Sequence, residues 1–331
     1  MKPINVFSLF DGMSCGQLAL KKAGVPIGIY HASEIDKWAI KITKKNFPFT
    51  IQMGDITKLE DWRLKVIRKE IGIDLVMGGS PCQGFSFAGK NLNFEDPRSK
   101  LFFDFIRVLK ILKPKYFLLE NVRMKKESQD VISEYLGVEP IAINSNLVSA
   151  QNRYRLYWTN IPFDIPEDKG IVLADILEDG VTDREKSHCL DANYFKGGNL
   201  KSYFEKHRRQ LVFNNRCIQV GEACDIKGFD IIKRVYSPEG KAPTLTTMGG
   251  GHREPKVIVD ELTWRKLTPL ECERLQTVPD GYTEGVSNTQ RYKMLGNGFT
   301  VDVVAHILKG IRHKEEGLKM INKWTKYGLA L

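Results

Sequence analysis

The sequence predicts an α/β fold: a mostly parallel, Rossmann-like sheet with helices on both faces, plus a smaller loop-rich domain. Three observations predict it. Strand-like and helix-like runs alternate through the first 160 residues. The strand-like runs are almost continuously apolar, as strands covered on both faces must be. From about 165 to 260 the alternation stops. Gly recurs there, in KGGN at 196–199 and MGGGH at 248–252, and apolar runs are short, as in Val257 to Val259.

The elements follow in order. Ile4 to Phe10 is a first strand ending in a Gly turn, and Gln17 to Ala23 reads as a helix. Ile27 to Ser33 and Trp38 to Asn46 repeat the pair. Ile51 to Met53 precedes Gly54–Asp55, and Asp74 to Met77 is stopped by Gly78–Gly79. Leu101 to Leu112 has helical apolar spacing and ends before Pro114. Tyr116 to Leu119 is a fifth strand, with Asn144 to Leu147 and Leu156 to Thr159 as further candidates. Helical signals return at Pro269 to Gln276, where Thr268 is a capping residue and Pro269 occupies the first position. Tyr292 to Arg312 holds a last long helix after a Gly296–Asn297–Gly298 turn. The expected organisation is 1–165, 166–262, 263–290 as a hinge, and 291–331 returning to the first domain.

A length of 331 residues fits two domains, or one with an insertion. With 42% hydrophobic and 27% charged residues, the composition excludes a collagen, a coiled-coil rod and a disordered tail protein. No apolar run approaches the ~20 residues that span a bilayer. The N-terminal apolar run is short and interrupted by Asp11, so it does not read as a signal peptide. The six cysteines form no CxxC pair, so no metal site is expected, and a cytoplasmic setting with reduced thiols is. Lys plus Arg is 50 against 40 for Asp plus Glu, a net +10. Such a balance fits a polyanion such as nucleic acid, although solubility alone also accounts for it. Residues 184–234 hold 11 basic and six acidic residues, so half the excess falls in the least regular segment.

The chemistry-bearing residues cluster at predicted strand ends. FSLFDGMSCG (7–16) runs a strand through a Gly turn into a helix, the place where open α/β sheets bind ligands. Its spacing is not GxGxxG. Glu34 lies 22 residues after Gly12, suiting an acceptor for ribose hydroxyls. Asp55 ends the third strand, and Ile35 and Ile56 follow the two acids, fit to sandwich a flat ring. Either acid alone reads as solvated; together with the Gly turn they favour an adenosine-type cofactor. In MGGSPCQGFSFAGK (77–90), Cys82 sits among Gly, Ser and Pro, which suits a nucleophile better than a core residue. Glu120 in ENV is expected at the same sheet edge. In QNRYR (151–155), Gln151, Arg153 and Arg155 alternate, so one strand face is expected to present all three. Paired arginines suit a phosphate or a carbonyl oxygen, with a surface location as the plain alternative.

These segments, in this order, resemble the cytosine-5 DNA methyltransferase family of prokaryotic or phage type. FSLFDGMSCG, ASEIDKWA and GDI look like its first three motifs, and GGSPCQGFS like its nucleophile motif. LLENV, SAQNRYR, RKLTPLECERLQTVPDGY and YKMLGNGFTV resemble the glutamate, arginine, ninth and tenth motifs. The resemblance implies a class I methyltransferase domain and a target-recognition domain at 166–262, where Thr244–Leu245 resembles a Thr-Leu pair common in the family. It implies S-adenosyl-L-methionine as cofactor, held by Phe10, Gly12, Glu34, Ile35, Asp55, Ile56, Pro81, Leu101 and Asn297. It assigns Cys82 as the nucleophile, Glu120 to nitrogen 3 of a flipped-out cytosine, and Arg153 to its carbonyl oxygen, with Gln151 and Arg155 in support. It implies double-stranded DNA as partner, a monomer, and a separate restriction endonuclease where the enzyme serves a restriction system. Ser14 and Cys15 stand where many members have a Gly pair, Ser80 replaces a frequent proline, and Gly298 stands where Ser is usual. An RNA cytosine-5 methyltransferase and an inactive DNA-binding regulator are the rival readings. A dehydrogenase lacks its GxGxxG and leaves Cys82–Gln83 unexplained.

Overall fold

The computed structural model describes residues 1–80, 97–196, 200–213, 219–222, 234–236, 256–257 and 264–312. The main sheet is built from β1 (Ile4–Leu9), β2 (Ile27–Ser33), β3 (Ile51–Gln52), β4 (Leu75–Gly79), β5 (Tyr116–Val122), β6 (Ile141–Asn144) and β7 (Tyr154–Thr159). Their order is β3-β2-β1-β4-β5-β7-β6. β3 to β5 pair in parallel, while β7 is antiparallel to both β5 and β6. The order reverses between β1 and β4, which opens a crevice at their carboxyl ends.

Alternate strand residues enter two cores, one on each face. Val6, Met77 and Leu118 join a core with α1 (Cys15–Ala23), α2 (Lys37–Asn46) and the C-terminal helices. Phe7, Val76 and Leu119 face the other way. There they meet Leu64 of α3 (Asp61–Glu70), Phe102 and Phe105 of α4 (Pro97–Leu112) and Ile132 of α5 (Lys126–Leu136). Two-sided burial is why these strands are so uniformly apolar.

Beyond the sheet, α6 (Leu200–Lys206) precedes β8 (Leu211–Phe213). A three-stranded sheet joins β9 (Gln219–Glu222), β10 (Arg234–Tyr236) and β11 (Lys256–Val257), and β8 pairs antiparallel with β12 (Trp264–Lys266). α7 (Pro269–Leu275) starts in a capping box. Thr268 Oγ1 accepts from the Glu271 amide, and Glu271 accepts from the Thr268 amide. α8 (Asn288–Asn297) and α9 (301–312) follow.

Several expectations are corrected. The strand expected at 144–147 lies at 141–144, because the Asn144 side chain accepts from the Asn146 amide and turns the chain into a 3-10 turn. The long helix expected after the Gly296–Asn297–Gly298 turn is α9, but the chain before it is helical too: Gly296 and Asn297 belong to α8, and the break runs over 298–300. α3 and α5 are additional. Each buries few apolar side chains, Leu64 and Ile67 in one and Ile132 in the other, so their periodicity is faint.

Candidate active site

A cleft of about 430 Å³ lies at the carboxyl ends of β1, β2, β4 and β5. Its walls include Phe10, Gly12, Glu34, Ile35, Asp55, Ile56, Leu101 and Asn297, every expected cofactor residue except Pro81. Pro81 and Cys82 fall outside the described residues, as does the Thr244–Leu245 pair.

The turn after β1 is strained. Phe10, Gly12 and Ser14 all take left-handed backbone conformations, with φ of 55°, 58° and 61°. Two of these are not glycine, and each costs on the order of 1 kcal/mol. Side-chain bonds hold the turn in place. The buried Asp11 carboxylate accepts from Ser14 Oγ and from Tyr30 Oη at 2.7 Å. Burial raises its pKa to about 6 against the pull of these bonds, and the charge of Glu34 adds to the rise. Glu34 Oε2 accepts from the Gly12 amide at 2.7 Å, and Oε1 from the Ile35 and Asp36 amides at 2.7 and 2.8 Å. Three bonds leave a carboxylate with spare acceptor capacity for a ligand hydroxyl. Asp55 caps its 3-10 turn by accepting from Thr57. Ile35, 74% exposed, offers an apolar face at the cleft mouth, while Ile56 is buried. Lys293 of α8 reaches Asp36 at 2.8 Å, tying the two rims together. Partial burial alone would raise the Asp36 pKa; this bond helps hold the carboxyl below its usual range. This set of acceptors, acidic at two strand ends and apolar between them, fits an adenosine-type ligand.

Glu120 sits at the inner end of the cleft. Register explains its surroundings. Gly79 of β4 lies opposite it, so the carboxylate fits over a residue without a side chain; a Cβ on Gly79 would lie 2.9 Å from Glu120 Oε2. On β7, Tyr157 faces Glu120 and Arg155 faces Val122, which makes Arg155 the diagonal neighbour of Glu120. Arg155 Nε meets Glu120 Oε1 at 2.8 Å, with both side chains about seven-eighths buried. Burial alone would lower the Arg155 pKa; the Glu120 carboxylate, together with Cys189 and Tyr157, holds it raised. Ser80, the last described residue before 97, accepts from Asn121 at 3.2 Å beside this pair.

The common strand face expected for Gln151, Arg153 and Arg155 is corrected. β7 begins at Tyr154, and the two earlier residues turn into the protein. Gln151, fully buried, donates to Leu275 O and Gln276 Oε1 and accepts from the Leu190 amide. Arg153, 3% exposed, donates from its two terminal nitrogens to the carbonyls of Leu190, Gly296 and Gly298. Gln151 is therefore a brace between chain segments. Arg153 reaches the cleft wall, but its fork is spent on the protein. Only Arg155 pairs with Glu120. Sequence reasoning missed Asp11, Asp36 and Lys293. Asp36 carried one signal, since it caps α2 by accepting from Trp38.

The strand order, the antiparallel seventh strand and a cleft at the switch point define a Rossmann-like methyltransferase. The chain belongs to the C-5 cytosine-specific DNA methylase family, whose model matches residues 4–313. The type II methyltransferase M.HpaII of Haemophilus parainfluenzae is 30% identical, over 92% of this chain and 88% of its own. The orphan methyltransferase M.SPBetaI of Bacillus phage SPbeta is 29% identical, over 95% of this chain and 98% of its own. The same fold occurs in the Entamoeba histolytica methyltransferase EhMeth, with a TM-score of 0.64 and 17% identity over 95% of this chain and 99% of that one. A Spodoptera frugiperda DNMT2 variant gives 0.60 and 20%, over 93% and 99%. Among the described residues no helix is long and apolar enough to cross a membrane.

Proposed function

We propose that this chain methylates carbon 5 of a flipped-out cytosine in a specific double-stranded DNA sequence, using S-adenosylmethionine and a transient bond from Cys82. The observation that carries the reading is one cleft containing the acidic and apolar cofactor residues at one end and the Glu120–Arg155 pair at the other. The expected DNA-reading segment at 166–262 is rich in cations, whose role is to neutralise phosphates and reach base edges.

Glu34 and Asp55 accept hydrogen bonds from the nucleoside part of the cofactor, and Ile35 and Ile56 cover its ring. When bound, S-adenosylmethionine supplies a sulfonium methyl group to the nucleophilic carbon of the activated base. The Cys82 thiolate adds at carbon 6, and the ring electrons move towards nitrogen 3 and carbon 5. Glu120 stabilises the charge growing at nitrogen 3. Arg155 orients Glu120 and meets the base carbonyl, the role expected of Arg153. Loss of the carbon 5 proton then expels the thiolate and restores the ring. Extruding the base costs a few kcal/mol, to be met by DNA contacts. The proposal includes a monomer in the cytoplasm, with a separate endonuclease if the enzyme serves a type II system.

Bisulfite sequencing of plasmid DNA from cells expressing the chain is the test. Cytosines in one short sequence should resist conversion, and Cys82→Ala should abolish that resistance while the protein stays folded. Full conversion with wild type, or protection by Cys82→Ala, overturns the reading. Transfer of labelled methyl groups to tRNA instead of DNA would favour the RNA enzyme.

A further inference from the structure

We propose that Cys15 and Gly298 are a matched steric pair that sets one wall of the cofactor cleft, with Cys15 as a positioning residue. The inference rests on the cofactor reading above and extends it to two residues whose atoms crowd each other in the cleft wall. Both residues line the cleft.

Gly298 is not required by its backbone. Its φ of −70° and ψ of 162° are open to any residue. It is crowded by its neighbours. A Cβ there would lie 3.2 Å from Cys15 Sγ, 3.2 Å from Met294 O and 3.3 Å from Met13 Cε. The Met13 methyl ends a flexible side chain and can turn away. Met294 O already accepts the Gly298 amide at 2.8 Å, so its closeness belongs to the helix end. Cys15 Sγ has no such freedom. It is one bond from the Cβ of the first residue of α1, 2% exposed, and hydrogen-bonded to the Phe299 backbone. Arg153 meanwhile holds Gly298 O at 3.0 Å, which stops the loop from backing off. The loop is gripped on both sides, so a side chain at 298 must shift this part of the cleft wall.

The thiol itself is inert. Burial, reinforced by the Asp11 charge, pushes its pKa up to about 12. At neutral pH Cys15 is an uncharged spacer, and its role is shape. With Cys at 15, a side chain at 298 would crowd the sulfur.

The test is a double-mutant cycle on the full chain with Gly298→Ser, Cys15→Ala and the pair. Two quantities are read: the thermal unfolding midpoint, and the KM for S-adenosylmethionine against kcat. Gly298→Ser should lower the midpoint and raise that KM by about tenfold or more, with kcat and the KM for DNA changed far less. Adding Cys15→Ala should recover most of both losses. The pair is overturned if Gly298→Ser changes neither quantity, or if the double variant shows only the sum of the single effects. A midpoint cycle that couples with no change in the cofactor KM overturns the positioning role. Wild type that binds no S-adenosylmethionine defeats the cofactor reading instead, and the midpoint cycle still decides the steric pair.

Discussion

Two arginines two residues apart divide the work at this site. Arg155 faces the carboxylate of Glu120, whereas Arg153 holds three protein carbonyls. Their substitutions should therefore fail differently. Arg155→Gln should cut kcat by about 100-fold or more, as loss of a preorganised electrostatic group does. Arg153→Ala should cost about 2–4 kcal/mol in urea unfolding, since it strands buried carbonyls. If Arg153→Ala unfolds like wild type, the brace is misassigned. Asp11 makes a prediction about pH. Its folded pKa of about 6 lies above the ordinary 3.8, so the folded state holds the proton more tightly. Its contribution is most favourable at low pH and falls as pH rises from about 4 to 6, by on the order of 3 kcal/mol. Asp11→Asn should gain stability relative to wild type from pH 4 to pH 7. Parallel stability curves for the two proteins would remove the claim.

Elements of the last third are braced against one another and tied to the first third by Tyr282 Oη, which donates to Met13 O at 2.7 Å, and by the Lys22–Asp302 pair. α7 presents Glu273, fully buried, to the chain returning at 281–291. Its carboxylate accepts from the Gly281 and Thr283 amides at 2.7 and 2.8 Å and from Arg291 of α8 at 3.0 Å. Gln276, which ends α7, links Gln151, Leu295 and Thr300. Removing one partner of a buried ion pair leaves the other without compensation. Glu273→Ala should cost about 3–5 kcal/mol, measured by urea unfolding. Because Asn297 and Lys293 ride on α8, the same variant should weaken cofactor binding although Glu273 does not line the cleft.

At the scale of the molecule, charge governs the encounter with DNA. A net +10, half of it from residues 184–234, makes that binding a matter of counterion release. The logarithm of the DNA affinity should fall linearly with the logarithm of salt concentration, and the slope should shrink by about one for each phosphate-contacting Lys or Arg removed. An affinity indifferent to salt would remove the 184–234 segment from the interface. The sheet order serves the same end: its reversal between β1 and β4 puts the cofactor cleft beside Glu120 on a single edge.

The local sequence determined whatever depends on short-range pattern. Apolar runs marked six of the main strands nearly in place, because the central strands, covered on both faces, hold mostly apolar residues. The Gly turn after β1, the acids ending β2 and β3, and Thr268 as a cap were legible because each acts on its own neighbours. Helices 61–70 and 126–136 were not, since each is anchored by only one or two buried apolar side chains. Tertiary structure alone decided which arginine faces Glu120. Strand alternation predicts a shared face only inside a strand, and the pull of the Leu190, Gly296 and Gly298 carbonyls ends it at Arg153. It also decided part of what crowds residue 298, for one of the two nearest atoms comes from Cys15, 283 residues earlier. Pattern along a chain records what each residue requires of its neighbours in sequence; contacts made across the fold are written only in where the backbone brings them together.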